Sequence, residues 1–489
     1  MTITQLDEAD QSASIIRTQY PRHELVSKIV HIGFGAFHRA HQAVFTDLCN
    51  QASKEYWGIF AVNMYGFDDL MQQFSAQNHL LTVTEKGAEQ TQTRLVRCFT
   101  GSLHTQHDGI EAAIAKIAEP QVSIVSLTIT EKGYCSNHHD GLNLDHPLIA
   151  ADLKNPSSPQ SAIGLISQAL ARRKQLGLPP ISIMSCDNIP ENGDLTRLAV
   201  TNFARAIDSE LADWIDAKVS FPNTMVDRIV PAMTDESFTQ IESLISMPDP
   251  CGVISEDFRQ WVVEDNFVAG RPDWNFAGAM LVKNVLPYEE MKLRMLNGSH
   301  SFLAYNGSLC GHQYIFECMQ DSELRQLTLK LMLDEQAKSL SSELDVDLEQ
   351  YAQTLISRFS NTNIKHMTAQ IACDGSQKLS QRAVDPCLRL NQLGIQSTIL
   401  PLLIAGWMHY VQGKHTANFK LVDPMAAEIE AKISSAQTSK DIVNNLLSLS
   451  AIFKPEFANN VAITSSIHRH YQDIDSNGMS ALLHQLNKQ

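Results

Sequence analysis

Four short apolar runs, spaced by stretches long enough for a helix, set the tightest limit on how this chain folds. KIVHIG at 28–33, WGIFAVNM at 57–64, QVSIVSLTIT at 121–130 and PISIMSC at 180–186 are strand-length and rich in β-branched residues. Near-continuous apolar character means burial on both faces, the condition of a strand inside a parallel sheet. Segments such as 109–118 and 161–176 read as the helices that cover it. After about residue 286 β-rich runs become rare, and 324–340, 348–356, 399–411 and 426–434 read as helices. With 489 residues the chain is too long for one core. The expectation is an α/β domain over 1–285 followed by a mostly α-helical domain over 286–489.

The first run leads into Gly33-Phe34-Gly35-Ala36-Phe37-His38-Arg39, and a helix-like stretch follows. Two glycines permit a tight turn and a close backbone approach to a pyrophosphate, whose charge the helix N-terminus favours. The first domain is therefore expected to be a Rossmann-type dinucleotide-binding domain, with Gly33, Gly35, Phe37 and Arg39 at the cofactor. His38 stands where the fingerprint has its third glycine, so the match is partial. Arg39 either neutralises phosphate or is a surface arginine. Asn63 ends the second run, and Tyr65-Gly66-Phe67-Asp68-Asp69 follows without lysine or arginine. A 2′-phosphate needs a cation, whereas a free ribose 2′-hydroxyl donates to an acid such as Asp68 or Asp69. NAD is favoured over NADP.

Charge narrows the partners. With 38 basic and 54 acidic residues the net charge is −16, which argues against nucleic-acid and anionic-membrane binding. No stretch reaches the roughly 18 apolar residues of a membrane span. The N-terminal residues lack a signal-peptide pattern, and nine scattered cysteines without a C-x-x-C pair fit buried thiols in a reducing cytoplasm. The expected partner is a small molecule, and the chain is expected to act in the cytoplasm as a monomer.

The segment PYEEMKLRMLNGSHS at 287–301 carries the candidate chemistry. Proline and two glutamates ahead of Lys292 and Arg294 mark a helix start. At about 100° per residue, Glu289, Lys292, Asn297 and His300 share one broad face. Gly298 weakens the helix, and the same pattern would also serve as a solvated surface. A lysine can act as general base when burial or a neighbouring cation lowers its pKa. Tyr288-x-x-x-Lys292 also matches the Y-x-x-x-K of short-chain dehydrogenases, but the glycine turn of that family is absent. His38 and His41 have i, i+3 spacing, and His138 and His139 are adjacent, yet no carboxylate or cysteine pattern completes a metal site. A catalytically silent nucleotide-binding regulator is the third class, and the assembled lysine, asparagines and histidine speak against it.

G-x-G-x-F-H-R-A-H-Q at 33–42, S-C-D-N at 185–188, N-T-M-V-D-R at 223–228 and K-x-x-x-x-N-x-x-H at 292–300 occur in this order. Together they resemble the polyol-specific long-chain dehydrogenase/reductase family, which holds mannitol dehydrogenases and hexuronate reductases, over essentially the whole chain. The resemblance implies zinc-independent catalysis with Lys292 as acid/base, Asn188 and Asn297 as the oxyanion hole, and His300 orienting a substrate hydroxyl. Asp227 then lies on the substrate and nicotinamide side, and Glu289 passes protons between the lysine and solvent. The runs at 261–274, 291–305 and 374–382 are most similar to members that interconvert D-fructuronate and D-mannonate; a mannitol–fructose or tagaturonate substrate is the alternative. A uronate carboxylate needs a cation. Arg358 is the first candidate, with His366 and Arg382 behind it.

Overall fold

The computed structural model describes residue 3 and residues 15–136 and 141–488. The chain divides into two compact units, Met1–Leu286 and Pro287–Gln489.

The first unit is built on five parallel strands, β1 (Val26–Ile32), β2 (Trp57–Asn63), β3 (Phe99–His104), β4 (Ile124–Leu127) and β5 (Ser182–Ser185). Their spatial order is 3-2-1-4-5, the Rossmann-type order, and it reverses between β1 and β4. Alternate side chains explain the apolar runs. Ile29, Ile59, Ile124 and Met184 enter one core, while Val30, Val62, Val125 and Ile183 enter another. Helices Ile110–Ile117, Ala162–Gln175 and Asn192–Ile207 cover the second core, and Gln42–Ala52 covers the first.

Two smaller sheets were not evident in the apolar pattern. Leu81–Lys86 and Thr91–Val96 pair antiparallel, as do Thr224–Asp227 and Gln260–Glu264. LTVTEK and TQTRLV are half polar, so they lack the continuous hydrophobic signal of the central strands. The run expected at 121–130 is a strand only over Ile124–Leu127, because Thr130 turns the chain with a φ of 62°.

Among its described residues the second unit is helical, apart from one isolated bridge between Tyr314 and Met367. Helix Ile399–Tyr410 is apolar around nearly its whole circumference and lies against Ser299–Leu309 and Val461–Asn477. Its first amides are taken up by the Glu335 carboxylate, which accepts from the N–H groups of Thr398, Ile399 and Leu400 at 2.7–2.8 Å. The helix expected at 324–340 is interrupted: Ser322–Lys330 is α-helical and Leu331–Gln336 is π-helical. No helix of the described residues is long and apolar enough to cross a membrane.

Candidate active site

The sheet reversal places the glycine turn directly after β1. Gly33 has a φ of 102°, and a Cβ there would overlap the Thr128 carbonyl, so only glycine fits. Its N–H donates to Val62 O at 2.9 Å and its carbonyl accepts from Thr128 Oγ1 at 2.7 Å, which fixes the turn between β1, β2 and β4. Gly35 then caps helix Ala36–Ala40 without a side chain, and a Cβ at Gly35 would meet nothing within 4 Å. That open space beside a backbone is what close approach to a pyrophosphate needs.

Arg39 is neither a surface residue nor an exposed phosphate ligand. It is buried, donating from Nε to Gly35 O at 3.2 Å and from Nη1 to Cys251 O at 2.6 Å, and burial brings its pKa down to about 10. It braces the turn from behind. Phe37 is half-buried and stacks on His41 at 4.9 Å. His38 lies in the core, face to face with His31 at 3.3 Å. Burial pushes His31 down to about 3 and His38 well below the usual imidazole range, so the stacked rings are neutral. His41 faces the Gln260 carbonyl at 3.0 Å. His138 and His139 lie outside the described residues.

Asn63, at the end of β2, is turned into its own loop and donates to the carbonyls of Tyr65 and Gly66 at 3.1 and 2.6 Å. It shapes the loop that presents Asp68. Asp68 begins helix Asp68–Ala76 after Phe67, which sits in the left-handed region. Its half-exposed carboxylate meets His107 Nε2 at 2.7 Å and lies 3.6 Å from His104 Nε2, with no lysine or arginine paired to it. These three residues form the one group of three possible metal ligands found among the described residues. The hydrogen bonds argue against that use. His104 Nδ1 accepts from the Gln106 amide, so Nε2 carries the proton and donates to Gly66 O at 3.0 Å. His104 thus has no ring lone pair left for a metal. An acid without a nearby cation fits a ribose 2′-hydroxyl better than a 2′-phosphate.

At the end of β5, Asp187 is a clamp that the sequence motif did not reveal. Its carboxylate accepts from the amides of Ile129 and Thr130, both at 2.9 Å, and from Tyr134 OH at 2.7 Å. Burial raises its pKa against the pull of these three bonds. Asn188, the next residue, is thereby held exposed. Asn192 ties this loop to the next motif, donating to Asp187 O at 3.0 Å and Thr224 O at 2.9 Å. Strand Thr224–Asp227 then delivers Asp227, buried at its end. Arg228 serves the fold, pairing with Glu85 at 2.6 Å and with the Glu256 carbonyl.

In the second unit the expected α-helix carries a correction. Leu286–Met291 and Ser299–Leu309 are α-helical, but Lys292–Gly298 between them is π-helical. A single 100° period therefore fails after Lys292, since a π-turn bonds i to i+5 and holds more residues. The only sequence hint was Gly298. A Cβ there would press on Gln336 Nε2 and stand 3.1 Å from the Arg382 carbonyl, so glycine lets three π-helical turns, Lys292–Gly298, Leu331–Gln336 and Ser380–Val384, approach closely. Lys292 and Glu289 are both buried, as is Tyr288.

His300 is the focus of the predicted substrate residues. It packs on Phe359 at 4.3 Å and His366 at 5.3 Å. Burial first, then His366, Arg358 and Arg382, hold its pKa well below the usual range, so it is a neutral hydrogen-bonding group. Arg358 and His366, far apart from it in sequence, are thus brought to it. Arg382 joins them, with Nη1 3.0 Å from Ser301 Oγ and 3.4 Å from the Asn297 carbonyl. A buried lysine and a buried neutral imidazole, with a half-buried amide and half-buried arginines, are groups that can move a proton and hold an anionic oxygen.

Comparison with known proteins gives the family of the chain. The mannitol dehydrogenase Rossmann domain matches residues 27–276, and the mannitol dehydrogenase C-terminal domain matches residues 284–475. The chain is 47% identical to an uncharacterized oxidoreductase of Escherichia coli K-12, YdfI, over 96% of this chain and 97% of that protein. It is 45% identical to the D-mannonate oxidoreductase of the same organism, with the same coverage. Its fold is similar to that of Pseudomonas fluorescens mannitol 2-dehydrogenase, solved as a ternary complex with NAD and D-mannitol, at 36% identity, a TM-score of 0.81 and 98% coverage of both chains. The chain belongs to the mannitol dehydrogenase family and is an oxidoreductase.

Proposed function

We propose that this oxidoreductase is an NAD-dependent, zinc-independent reductase of a keto-hexuronate, interconverting D-fructuronate and D-mannonate. The observation that carries the substrate is the placing of arginines at His300: Arg382 Nη1 lies 3.0 Å from the Oγ of the adjacent Ser301, and, after burial and His366, Arg358 and Arg382 add to the lowering of the His300 pKa. A neutral polyol has no use for that charge, and a uronate carboxylate does. The 45% identical relative named D-mannonate oxidoreductase supports the same reading. The likeness to a mannitol 2-dehydrogenase favours a polyol–ketose pair as the second reading. Tagaturonate is the other hexuronate.

The bound nicotinamide supplies the hydride in reduction and accepts it in oxidation. Gly33 and Gly35 admit the pyrophosphate and Asp68 accepts from the ribose 2′-hydroxyl. The Lys292 ammonium gives its proton to the carbonyl oxygen in reduction, and its amine takes the proton of the hydroxyl in oxidation. Asn188 and Asn297 donate to that oxygen as negative charge develops. His300 orients a substrate hydroxyl, Asp227 contacts substrate, and Glu289 exchanges the lysine proton with solvent. His366 and Arg358 line the carboxylate end.

NADH oxidation measured with fructuronate, tagaturonate and fructose tests the assignment. Fructuronate should give the highest kcat/KM, by at least about 10-fold, a difference of about 1.4 kcal/mol in transition-state binding. A preference for fructose would overturn the hexuronate reading in favour of the polyol one.

A further inference from the structure

We infer that Arg382, rather than Arg358, is the anchor that binds the substrate carboxylate and so sets the specificity for a sugar acid. This inference rests on the hexuronate reading. Arg382 lies in the π-helical turn Ser380–Val384, against the turn that carries Lys292 and Asn297. Its partners are neutral: the Ser301 hydroxyl and the Asn297 carbonyl, both reached by Nη1.

Apart from Arg39, which gives Nε and Nη1 to the Gly35 and Cys251 carbonyls, the enclosed arginines Arg94, Arg173, Arg228, Arg271 and Arg294 differ from Arg382 in one of two ways. Arg94 and Arg228 pair with Glu85, Arg271 with Asp265 and Arg294 with Glu290. Arg173 is buried without an acid, but its Nε, Nη1 and Nη2 all donate to carbonyls, those of Pro179, Ile117 and Glu119. Arg382 commits Nη1 alone. Its Nε and Nη2 form the edge of the guanidinium that matches a carboxylate with two parallel hydrogen bonds. Burial lowers its pKa to about 10, so it stays charged at neutral pH, and Tyr305 is its one charge-stabilising neighbour. A desolvated cation with a vacant fork is costly to maintain unless an anion completes it. Arg358, by contrast, occupies the last turn of helix Leu348–Phe359, where the carbonyl end of the helix itself favours a cation.

The test compares Arg382→Met with Arg358→Gln in the full chain, using steady-state kinetics on fructuronate and fructose and direct titration of D-mannonate. Arg382→Met should raise the fructuronate KM and the D-mannonate Kd by about 100-fold or more, the scale of a lost buried charge pair. The fructuronate-over-fructose ratio should collapse with it. Added guanidinium should restore part of the fructuronate turnover to Arg382→Ala, a rescue that a purely structural role would not give. If Arg382→Met does not fold, Arg382→Lys keeps the charge and loses the fork, and its fructuronate KM should rise about 10-fold. An unchanged KM in Arg382→Lys, an unchanged ratio in Arg382→Met, or collapse of the ratio in Arg358→Gln instead would overturn the assignment. Wild-type protein inactive on every hexuronate would sink the hexuronate reading itself, a separate outcome seen before any variant is made.

Discussion

Two glycines two residues apart should respond to the same substitution in opposite ways. Alanine at Gly33 must adopt a φ near 102° and drives its methyl into the Thr128 carbonyl. Left-handed backbone alone costs about 1–2 kcal/mol, and with the overlap the loss should be on the order of 2–4 kcal/mol. Gly35 has φ −82° and ψ 174°, which alanine adopts freely, and its Cβ would meet nothing within 4 Å. Gly35→Ala should therefore leave folding intact or stabilise it by about 0.4–1 kcal/mol through the unfolded chain. Its methyl would stand in the space proposed for the pyrophosphate, and NADH affinity should fall about 10- to 100-fold, or about 1.4–2.8 kcal/mol. Urea unfolding without cofactor reads the first quantity, and quenching or enhancement of NADH fluorescence reads the second. A Gly35→Ala protein that binds NADH as tightly as wild type would refute the placement of the cofactor. So would equal destabilisation by the two changes.

Lys292→Ala should lower kcat by at least about 100-fold, the usual scale of lost acid/base catalysis, and Tyr288→Phe should be mild; a more damaging tyrosine change would reverse the assignment. Exhaustive chelation should leave turnover undiminished, and loss of activity restored by zinc would contradict the lysine mechanism. His470 is held at about 4 by burial and then by Arg469. The unfolded imidazole titrates near 6.5, so the folded state binds fewer protons below that pH and stability is lost as pH falls from about 7 toward 4. His470→Gln should remove that part of the slope, retaining about 1–2 kcal/mol more of its neutral-pH stability at pH 5 than wild type does. Parallel slopes in urea unfolding at pH 7 and pH 5 would disprove it.

The central sheet was readable because strands buried on both faces leave unbroken apolar runs, and β1, β2, β4 and β5 all do so. The strands Leu81–Lys86 and Thr91–Val96 escaped because one side of each remains polar. Candidate residues that fall in short motifs, such as Lys292 and His300, could be proposed from spacing. Their surroundings could not, since Arg358, His366 and Arg382 reach His300 through tertiary packing. Arg39 shows the opposite limit. Its position beside the glycine turn suggested phosphate, but only the fold reveals that it is buried, with Nε and Nη1 given to the Gly35 and Cys251 carbonyls.

The π-helical turn at Lys292–Gly298 makes the spacing between the lysine and the histidine a mechanical setting. Such a turn is an α-helix holding one residue too many. Removing a single residue between Lys292 and Asn297 would let the segment relax into ordinary helix with its flanking helices intact. The π-turn already absorbs the extra residue, so the helix after it would keep its orientation about the axis instead of swinging by the roughly 100° that a deletion from an α-helix imposes. A chain so shortened should fold, stay helical by circular dichroism and keep Asn297 one turn above Lys292, now four residues away instead of five. The π-turn is therefore what lets residues five apart, Lys292 and Asn297, stand one turn above the other.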